Sequence, residues 1–449
     1  MTGHPSQHPD KNIPLIIPEE NHPIRPHMID SDAVFVMRKL NKAGFSSYLV
    51  GGGVRDLYLG KTPKDFDIST DARPGQIRRL FPNSSTIGRR FRLVQVFFKS
   101  GKVVEVSTLR SLSEHDLDGP ETLLAPNNTY GNLPEDAQRR DLSINSLFYE
   151  LENKTIIDYI GGVSDLDNSI IRIVGKPDTR ISRDPVRMMR AIRHSARTGF
   201  KIEKETWRSI KTNHRKILLC PPSRIRDELF KDLYGGSAAR WLDLMVESDL
   251  LLTYFPFYQE ILFSAASPQL TCHEMLQRSF VLLDTLNVST HRGNNLPKSF
   301  ILSLLMLPWA ENMYNLSNLR LKGPGYFQLS KSIRKEIDKL MGIPLNLRKS
   351  LRQEMVTLLC NLPQFVRFVQ NNNSPRWLKK KSYYANCHFF HEIFTMITAG
   401  SNCQDVPNYL QNSITNNTHE NSRETQFSKR KTKPAFSPKN KGSIFGFRK

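Results

Sequence analysis

Cysteine is scarce in this 449-residue chain, and its five copies are not arranged for pairing or metal binding. Their number is odd, and no two of them are separated by only two residues. This spacing argues against a disulfide framework and a thiolate zinc site, and it fits a reducing compartment. The adjacent residues Cys387 and His388 are poorly spaced as ligands for one metal ion, so we interpret them as core residues.

Long apolar runs and a secretory signal are also missing. The sequence has no run of 18 apolar residues, and its start lacks the charged region and apolar core of a signal peptide. We therefore expect a cytoplasmic protein without a membrane segment. Hydrophobic residues make up 39% of the chain, which is below the usual globular range and predicts that part of it does not join a packed core.

Acidic residues are outnumbered by basic ones. The chain has 43 aspartates and glutamates against 64 lysines and arginines, a formal net charge of +21. A balance this basic favours a polyanionic partner, because neutralising phosphates releases their condensed counterions. Nucleic acid is therefore the leading partner class, against the alternative of a merely basic protein.

The order of patterns along the chain predicts an α+β fold. Short apolar runs alternate with turn signals in the first part, which indicates a head domain with a small mixed β-sheet and flanking helices. Helical spacing then dominates, which predicts an all-α neck and body before composition turns rich in Asn, Ser, Thr and Lys. The expected parts are a flexible extension at 1–30, the head at 31–175, the neck at 176–235, the body at 236–410 and a disordered basic tail at 411–449.

Several elements can be placed by local signals. Gly199 is expected to end a helix that begins after Asp184 and Pro185, and Ser223 is expected to open the next one. His273 is interpreted as an ordinary helix residue, because no matching His-Asp pair accompanies it. Strands are predicted at Ser47–Val50 and Phe66–Thr70, and a hairpin is predicted from Phe91–Phe98 and Lys102–Thr108.

Residues 49–70, LVGGGVRDLYLGKTPKDFDIST, carry the strongest chemical signal. A glycine run after a strand lets backbone N–H groups approach an anion closely, although such a run is often only a turn. Asp65 and Asp67 are two residues apart in a strand-like run, so both carboxylates face one side. Paired carboxylates repel each other unless a cation lies between them, and their hard oxygens suit Mg²⁺. Glu105, between two valines, is either a third ligand or a solvent-facing charge.

The runs GGGVRD and KDFD resemble the head signature of the class II nucleotidyltransferases, the family of bacterial poly(A) polymerases and tRNA CCA-adding enzymes. Further motifs of that family follow in order, and the resemblance covers roughly residues 31–235. The segment at 183–200 departs from the pattern, because Arg183 stands where the family usually has Glu. The other resembling segments are EDAQRRDLSINSLFY (135–149), DYIGGVSDLDNSIIRIVG (158–175), RDPVRMMRAIRHSARTGF (183–200) and RIRDELFKDL (224–233).

The resemblance implies phosphoryl transfer assisted by two Mg²⁺ ions, with Mn²⁺ as a substitute. Asp65 and Asp67 would hold the ions with help from Glu105, and the RNA 3′-hydroxyl would attack the α-phosphate of ATP. Asp141 and Asn145 are expected one turn apart on a helix, where they would select the ribose, with a structural ion-pair network as the alternative. The remaining implied contacts are Gly51, Gly52, Arg55 and Lys64 to the triphosphate, Arg140 to phosphate, Asp184 and Arg187 to the base, and Arg190, one turn further along, to the nucleotide.

Residues 87–96, IGRRFRLVQV, resemble a segment that marks bacterial poly(A) polymerases, which favours polyadenylation over CCA addition. Arg89, Arg90 and Arg92 would then hold RNA. In the tail, basic residues alternate with phenylalanines, which favours an RNA-contacting arm over a merely solubilising segment. We expect a monomer that acts on RNA 3′ ends and ATP and that meets RNA-decay proteins; a non-catalytic RNA-binding protein is the alternative from another class. The basic tail residues are Lys429, Arg430, Lys431 and Lys433.

Overall fold

The computed structural model describes residues 13–88, 92–111, 129–267, 270–289, 296–321, 323–370 and 375–399. Within these ranges a sheet-containing part comes first and a helical part follows. The α+β class predicted from the sequence is confirmed. The two-stranded pair β11 (Ala265–Ser267) and β12 (Leu270–Thr271) is a small exception to the all-α character of the second part.

The described part of the head forms one eight-stranded mixed sheet. Its strand order is β1-β8-β7-β2-β3-β6-β5-β4, in which β3 and β6 are parallel and the other neighbours are antiparallel. The parallel pair lies near the middle of the sheet. The strands are β1 (Leu15–Ile17), β2 (Ser47–Val50), β3 (Asp67–Thr70), β4 (Ser84–Ile87), β5 (Leu93–Phe97), β6 (Val103–Thr108), β7 (Leu147–Glu150) and β8 (Thr155–Asp158).

Short helices cover the sheet. In α1 (Ser31–Lys42) the buried residues are Ala33, Val36, Met37 and Leu40, which is the i, i+3, i+4, i+7 spacing of a single apolar face. The carboxylate of Asp30 caps this helix by accepting a hydrogen bond from the backbone N–H of Asp32. The other helices of the head are α2 (Gly52–Tyr58), α3 (Pro74–Leu80), α4 (Leu133–Arg139) and α5 (Gly162–Asp167).

The N-terminal segment is more ordered than its composition predicts. Strand β1 extends the edge of the sheet by pairing with β8, and Ile24 and Ile29 are buried. The His22 ring lies 2.9 Å from the carbonyl oxygen of Lys154. The prediction of a loosely held extension is therefore wrong for residues 13–30, because their few isoleucines add to the core; residues 1–12 lie outside the described ranges.

The second part is built from helices. The predicted stop at Gly199 is confirmed, since this residue ends α7 with a φ of +83°. The helices are α6 (Pro177–Arg183), α7 (Val186–Thr198), α8 (Lys204–Asn213), α9 (Pro222–Leu233), α10 (Ala238–Glu247), α11 (Leu250–Tyr254), α12 (Cys272–Ser289), α13 (Lys298–Tyr314), α14 (Pro324–Ile337), α15 (Lys349–Gln370), α16 (Arg376–Lys379) and α17 (Tyr384–Ala399). A short parallel pair, β9 (Ile170–Ile171) and β10 (Lys201–Ile202), joins the two parts.

The residues that the sequence assigned to structure mostly behave as expected. His273 lies in the first turn of α12, and Cys387 is buried. His388 is only half-buried and lies 3.4 Å from the carboxylate of Glu392, so the core interpretation does not extend to it. Across the described ranges, no helix combines the length and apolar character that crossing a bilayer would require.

Candidate active site

Two carboxylates meet where the central parallel strands run side by side. Ile68 of β3 is the neighbour of Val106 of β6, so Asp67 and Glu105 occupy adjacent positions one residue earlier. Ile68, Val104 and Val106 are buried, and the alternation of a strand turns both carboxylates to the opposite face. The predicted orientation of Glu105 away from its flanking valines is confirmed.

The electrostatic surroundings of Asp67 are strongly negative. Its carboxylate is reachable by solvent but lies inside a cleft, whose walls remove much of the bulk water. This burial, together with the charges of Glu105 and Asp65, raises the pKa of Asp67 to about 6, and Arg140 offsets only part of the effect. The Glu105 carboxylate accepts a 3.0 Å hydrogen bond from the Gln95 side chain. An added cation would relieve the repulsion between these carboxylates.

Asp65 lies just before β3, in a segment without regular structure, and is exposed. The strand therefore begins at Asp67, one residue later than predicted. The negative charge of Asp65 contributes to the raised pKa of Asp67. Among the described residues, no three acidic, histidine or cysteine side chains are already gathered at ligand distances. The donor set nevertheless consists of carboxylate oxygens, the chemistry that Mg²⁺ prefers.

The glycine run forms the turn from β2 into α2. Gly51 has a φ of +67°, a conformation that side chains rarely adopt, and a Cβ there would lie 3.4 Å from a guanidinium nitrogen of Arg140. Gly52 begins the helix, and a Cβ at this position would contact the Arg55 guanidinium at 3.5 Å. The turn therefore brings backbone close to two arginines that the sequence assigned to phosphate.

Arg55 is buried and engaged with protein groups. Its guanidinium donates to the Asp56 carboxylate at 2.7 Å and to the Asn145 side-chain oxygen at 2.6 Å. The His194 ring lies 3.4 Å from both Arg55 and Asn145. Burial and the charge of Arg55 lower the pKa of His194 to about 3, so this ring is neutral near pH 7. Arg55 and Asn145 are thus held together beneath the glycine turn.

Asp141 and Asn145 do not share a helix, contrary to the prediction. Helix α4 ends at Arg139, and Arg140 takes an extended conformation with a ψ of 167°. Asn145 instead closes a single 3₁₀ turn at Ser143–Asn145. The break has a physical reason, because Leu142 forms an antiparallel β-bridge with Ile173, and the backbone groups of Asp141 and Ser143 bond to Val174 and Arg172 instead of continuing the helix. Asp141 consequently faces the cleft while Asn145 contacts Arg55.

Asp141 is paired with the neck. Arg190 of α7 donates to its carboxylate at 2.6 Å and also reaches Glu228 of α9 at 3.0 Å. Burial alone would raise the pKa of Asp141, but Arg190 and Arg187 outweigh it and hold the pKa well below its usual range. The ion pair of the alternative interpretation is present at Asp141, and the residue also lines the cleft, so its contact with a ribose stays a prediction.

The opposite wall of the cleft is the start of α7. Arg187 donates to the backbone carbonyl of Arg140 at 3.0 Å, which fixes its guanidinium at the cleft. The Asp184 carboxylate accepts a 2.7 Å bond from Arg224 through one oxygen, while the other oxygen is buried without a hydrogen-bond partner. A buried acceptor left in this state favours a ligand that donates to it.

These walls enclose a cleft of about 370 Å³, a volume typical of ligand sites. Six arginines and four carboxylates line it, and crowding lowers the pKa of one arginine, Arg110, to about 10, through burial first and then the charge of Arg139. The cleft is thus negative along β3 and β6 and rich in guanidinium elsewhere. Its lining residues are Val50, Asp67, Leu93, Glu105, Ser107, Arg110, Arg139, Arg140, Asp141, Asp184, Arg187, Arg190 and Arg224.

The sequence analysis did not assign Arg110, Arg139, Ser107 or Arg224 to the site. Arg110 and Ser107 lie on or just after β6, and the two-residue spacing from Glu105 to Ser107 is the available signal for a shared face. Arg139 could have been predicted from the sequence, because it is the neighbour of Arg140 in the segment EDAQRRDLSINSLFY (135–149). Arg224 could not be found this way, because only the packing of α9 against α7 brings it to Asp184.

Other predicted residues lie apart from the cleft lining. Lys64 is exposed in the segment before β3, and Arg92 is exposed at the start of β5. Their assignments to triphosphate and RNA remain predictions. Arg89, Arg90 and the tail residues Lys429, Arg430, Lys431 and Lys433 lie outside the described residues.

Known proteins resemble this chain in its head and in the helical segment that follows. Residues 47–172 match the family model described as "Poly A polymerase head domain", and residues 199–262 match "Probable RNA and SrmB-binding site of polymerase A". Poly(A) polymerase I of Escherichia coli O6:H1 is 43% identical over 248 residues, which are 54% of this chain and 53% of that protein. The CCA-adding enzyme of Lactobacillus helveticus is 37% identical over 219 residues, 49% of this chain and 53% of that one.

The chain spans about half the length of the curated relatives it matches. A solved structure, the Bacillus stearothermophilus CCA-adding enzyme in complex with CTP, superposes with a TM-score of 0.59 at 22% identity, covering 88% of this chain and 83% of that one. At this identity the similarity establishes the fold. The family models and the curated relatives show that residues 47–172 and 199–262 resemble poly(A) polymerases, and that about half of the chain also resembles CCA-adding enzymes.

Proposed function

We propose that this chain transfers AMP from ATP to RNA 3′ ends, with release of pyrophosphate, and thus acts as a poly(A) polymerase in RNA polyadenylation and decay. One observation carries the proposal: the paired carboxylates Asp67 and Glu105 face a wall of hydrogen-bonding groups, Asp184 and Arg187, across a single cleft. A template-independent enzyme needs both parts, one for phosphoryl transfer and one to choose the base.

Asp65 and Asp67 are the residues that would hold two Mg²⁺ ions, with Glu105 in support. The uncompensated negative charge around Asp67 and the all-oxygen donor set fit a hard divalent cation. When bound, such ions promote ionisation of the attacking hydroxyl and neutralise the leaving pyrophosphate.

The guanidinium groups have separate tasks in this proposal. Arg140 lies between the carboxylates and the glycine turn, where it would hold triphosphate oxygens together with Arg110 and Arg139. Asp184 and Arg187 would bind the edge of the base, with Arg224 keeping the Asp184 carboxylate in position. Such fixed donors and acceptors discriminate well, because a wrong base leaves buried groups unpaired.

Poly(A) addition is favoured over CCA addition by the higher identity to the E. coli polymerase, 43% against 37% for the L. helveticus CCA-adding enzyme. The segment IGRRFRLVQV supports the same choice. CCA addition is the second candidate, because CCA-adding enzymes share the fold and match the head at substantial identity.

The deciding experiment offers the purified chain each nucleoside triphosphate with either an oligo(A) primer or a tRNA that lacks its 3′ terminus. A poly(A) polymerase extends the primer continuously with AMP. Ordered addition of a few nucleotides to the tRNA, followed by a stop, would instead support the CCA-adding candidate. Binding of RNA without any incorporation would favour the non-catalytic alternative and contradict both.

The carboxylate assignment is tested by Asp67→Asn. We expect incorporation of AMP to fall by about 10³-fold, because losing cation binding removes several kcal/mol of transition-state stabilisation. RNA affinity should stay within about threefold of the unmodified chain, since Asp67 repels phosphate. The matched control is Asp71→Asn, an exposed aspartate just beyond the same strand that does not line the cleft. Equal activity of both variants would contradict the assignment.

A further inference from the structure

A second cavity lies in the helical body, away from the residues that line the active-site cleft. It has a volume of about 200 Å³ and lies between the segment before α14, the C-terminal half of α15 and the short helix α16. A cavity of about 150 Å³ accommodates benzene, so this one can admit one aromatic ring system. The described residues that line it are Leu319, Arg320, Leu321, Tyr326, Cys360, Pro363, Gln364, Arg367, Phe368 and Trp377.

Trp377 stands at this cavity with 52% of its surface exposed. Trp241 and Trp309, by contrast, are 1% and 4% exposed in the core. Tyr326 and Phe368 add two further aromatic rings to the lining. A large exposed indole beside other rings provides a flat stacking surface of the kind that binds unpaired bases.

Basic residues dominate the two stretches of sequence that line the cavity. The sequence has no aspartate or glutamate from 312 to 335 or from 355 to 391, the two stretches that supply the lining. Each stretch carries five lysines and arginines. Those exposed beside Trp377 on and after α16 are Arg376, Lys379, Lys380 and Lys381. This positive charge favours a ligand that carries phosphate groups over an uncharged apolar ligand.

One of the lining residues also carries an unsatisfied polar atom. The side-chain oxygen of Gln364 is buried and has no hydrogen-bond partner. Nearby, the Tyr326 hydroxyl is already engaged, because it donates to the Asn361 side-chain oxygen at 3.1 Å. A buried amide oxygen without a partner has a hydrogen-bonding capacity that a donor on a ligand, such as an exocyclic amine, would satisfy.

We propose that this cavity is an RNA subsite that takes up one unstacked nucleobase, with Trp377 as the stacking platform and Gln364 as the polar contact. The lysines and arginines around it hold the phosphates on either side. This inference rests on the proposed function for its partner, RNA, and it assigns part of the substrate to the body of the protein rather than to the cleft. The base bound here belongs to the RNA strand, not to the incoming triphosphate.

The test uses the full-length chain and fluorescently labelled oligo(A) of about 20 nucleotides, with binding followed by anisotropy at fixed ionic strength. Trp377→Ala should weaken binding by about 5- to 100-fold, the range for loss of one base stack. Trp377→Phe should retain affinity within about threefold, because a phenyl ring still stacks. Gln364→Leu should weaken binding while keeping the size of the side chain. The matched control is Phe263→Ala, which removes an aromatic that is 70% exposed in the same body but does not line the cavity.

Kinetics separates this subsite from the active site. In primer extension, Trp377→Ala should raise the KM for RNA and leave the KM for ATP and the rate at saturating RNA unchanged. Wild-type affinity in both Trp377→Ala and Gln364→Leu would overturn the inference even if the chain polymerises AMP. An equal loss in Phe263→Ala would also overturn it. If the unmodified chain extends no RNA yet binding depends on Trp377, the subsite stands and the proposed function falls.

Discussion

Glu228 provides a quantitative test of how the neck holds the cleft together. Its side chain is 5% exposed, and its carboxylate binds Arg190 at 3.0 Å and also binds Arg193. Arg190 continues to Asp141 on the cleft wall. Glu228→Gln keeps the shape of the side chain but removes the negative charge that the guanidinium groups of Arg190 and Arg193 share.

The magnitude follows from the pKa of Glu228. Burial alone would raise it, but Arg190 and Arg193 outweigh burial and lower the pKa from 4.5 to about 2. A difference of this size corresponds to roughly 3 kcal/mol of folding free energy. In the variant, Arg190 can still pair with Asp141, and Arg193 can still pair with Asp232. We therefore expect the substitution to lower the free energy of unfolding by about 2–3 kcal/mol near pH 7.

The lowered pKa of Glu228 determines how its contribution to stability changes with pH. A lowered carboxyl pKa stabilises the fold above the unfolded-state value near 4.5, and this contribution is lost as the pH falls from there to about 2. Urea unfolding at pH 7 should therefore show the full loss in Glu228→Gln, and the difference from wild type should shrink as the pH falls below 4.5.

The control is Asp227→Asn, one residue away, whose carboxylate is 61% exposed and pairs only with Arg226 among the ion pairs of the described residues. Its effect should stay within about 0.5 kcal/mol. If Glu228→Gln unfolds like this control, or if its deficit does not depend on pH, the buried ion-pair network does not stabilise the neck as inferred.

Two further predictions concern the cleft and the body. Arg224→Met removes the 2.7 Å hydrogen bond to Asp184, so it should lower kcat/KM for ATP about tenfold or more and weaken discrimination against CTP. Arg226→Met, on the same helix, should change neither quantity. Steady-state kinetics with both nucleotides checks this. Burial raises the pKa of Glu311 from 4.5 to about 7, so its ionisation costs stability as the pH rises through that window. Glu311→Gln should be about 1–2 kcal/mol more stable than wild type at pH 8 and equal at pH 4 in urea unfolding; a constant difference would contradict this.

Elements with strong local signals were predictable. The hairpin of β5 and β6 follows from two β-rich runs joined by a Ser-Gly turn, and α7 follows from its proline start and its glycine stop. The placement of Asp67 and Glu105 on one face also follows from alternation along each strand. In these cases the information lies within a few residues, so tertiary contacts had little to change.

Elements shaped by distant contacts were not predictable. The segment at 135–149 is predicted as one helix through Asn145, but the backbone of residues 141–143 pairs with residues 172–174, and the helix ends at Arg139. The Pro- and His-rich N-terminus reads as loose, yet Leu15–Ile17 finds an open edge on β8. Local composition cannot report a free strand edge that forms more than 100 residues away.

The sequence by itself determined which functional groups the protein has: paired carboxylates after a glycine turn, an excess of basic residues, and a helix that begins after Asp184 and Pro185. These depend on residue type and short spacing, which the chain carries without folding. Only the tertiary structure decided that Arg224 orients Asp184, that Arg55 is engaged with Asn145, and that Gln364 and Trp377 share a cavity. Those contacts join residues from separate segments of the chain, so they exist only once helices and strands pack.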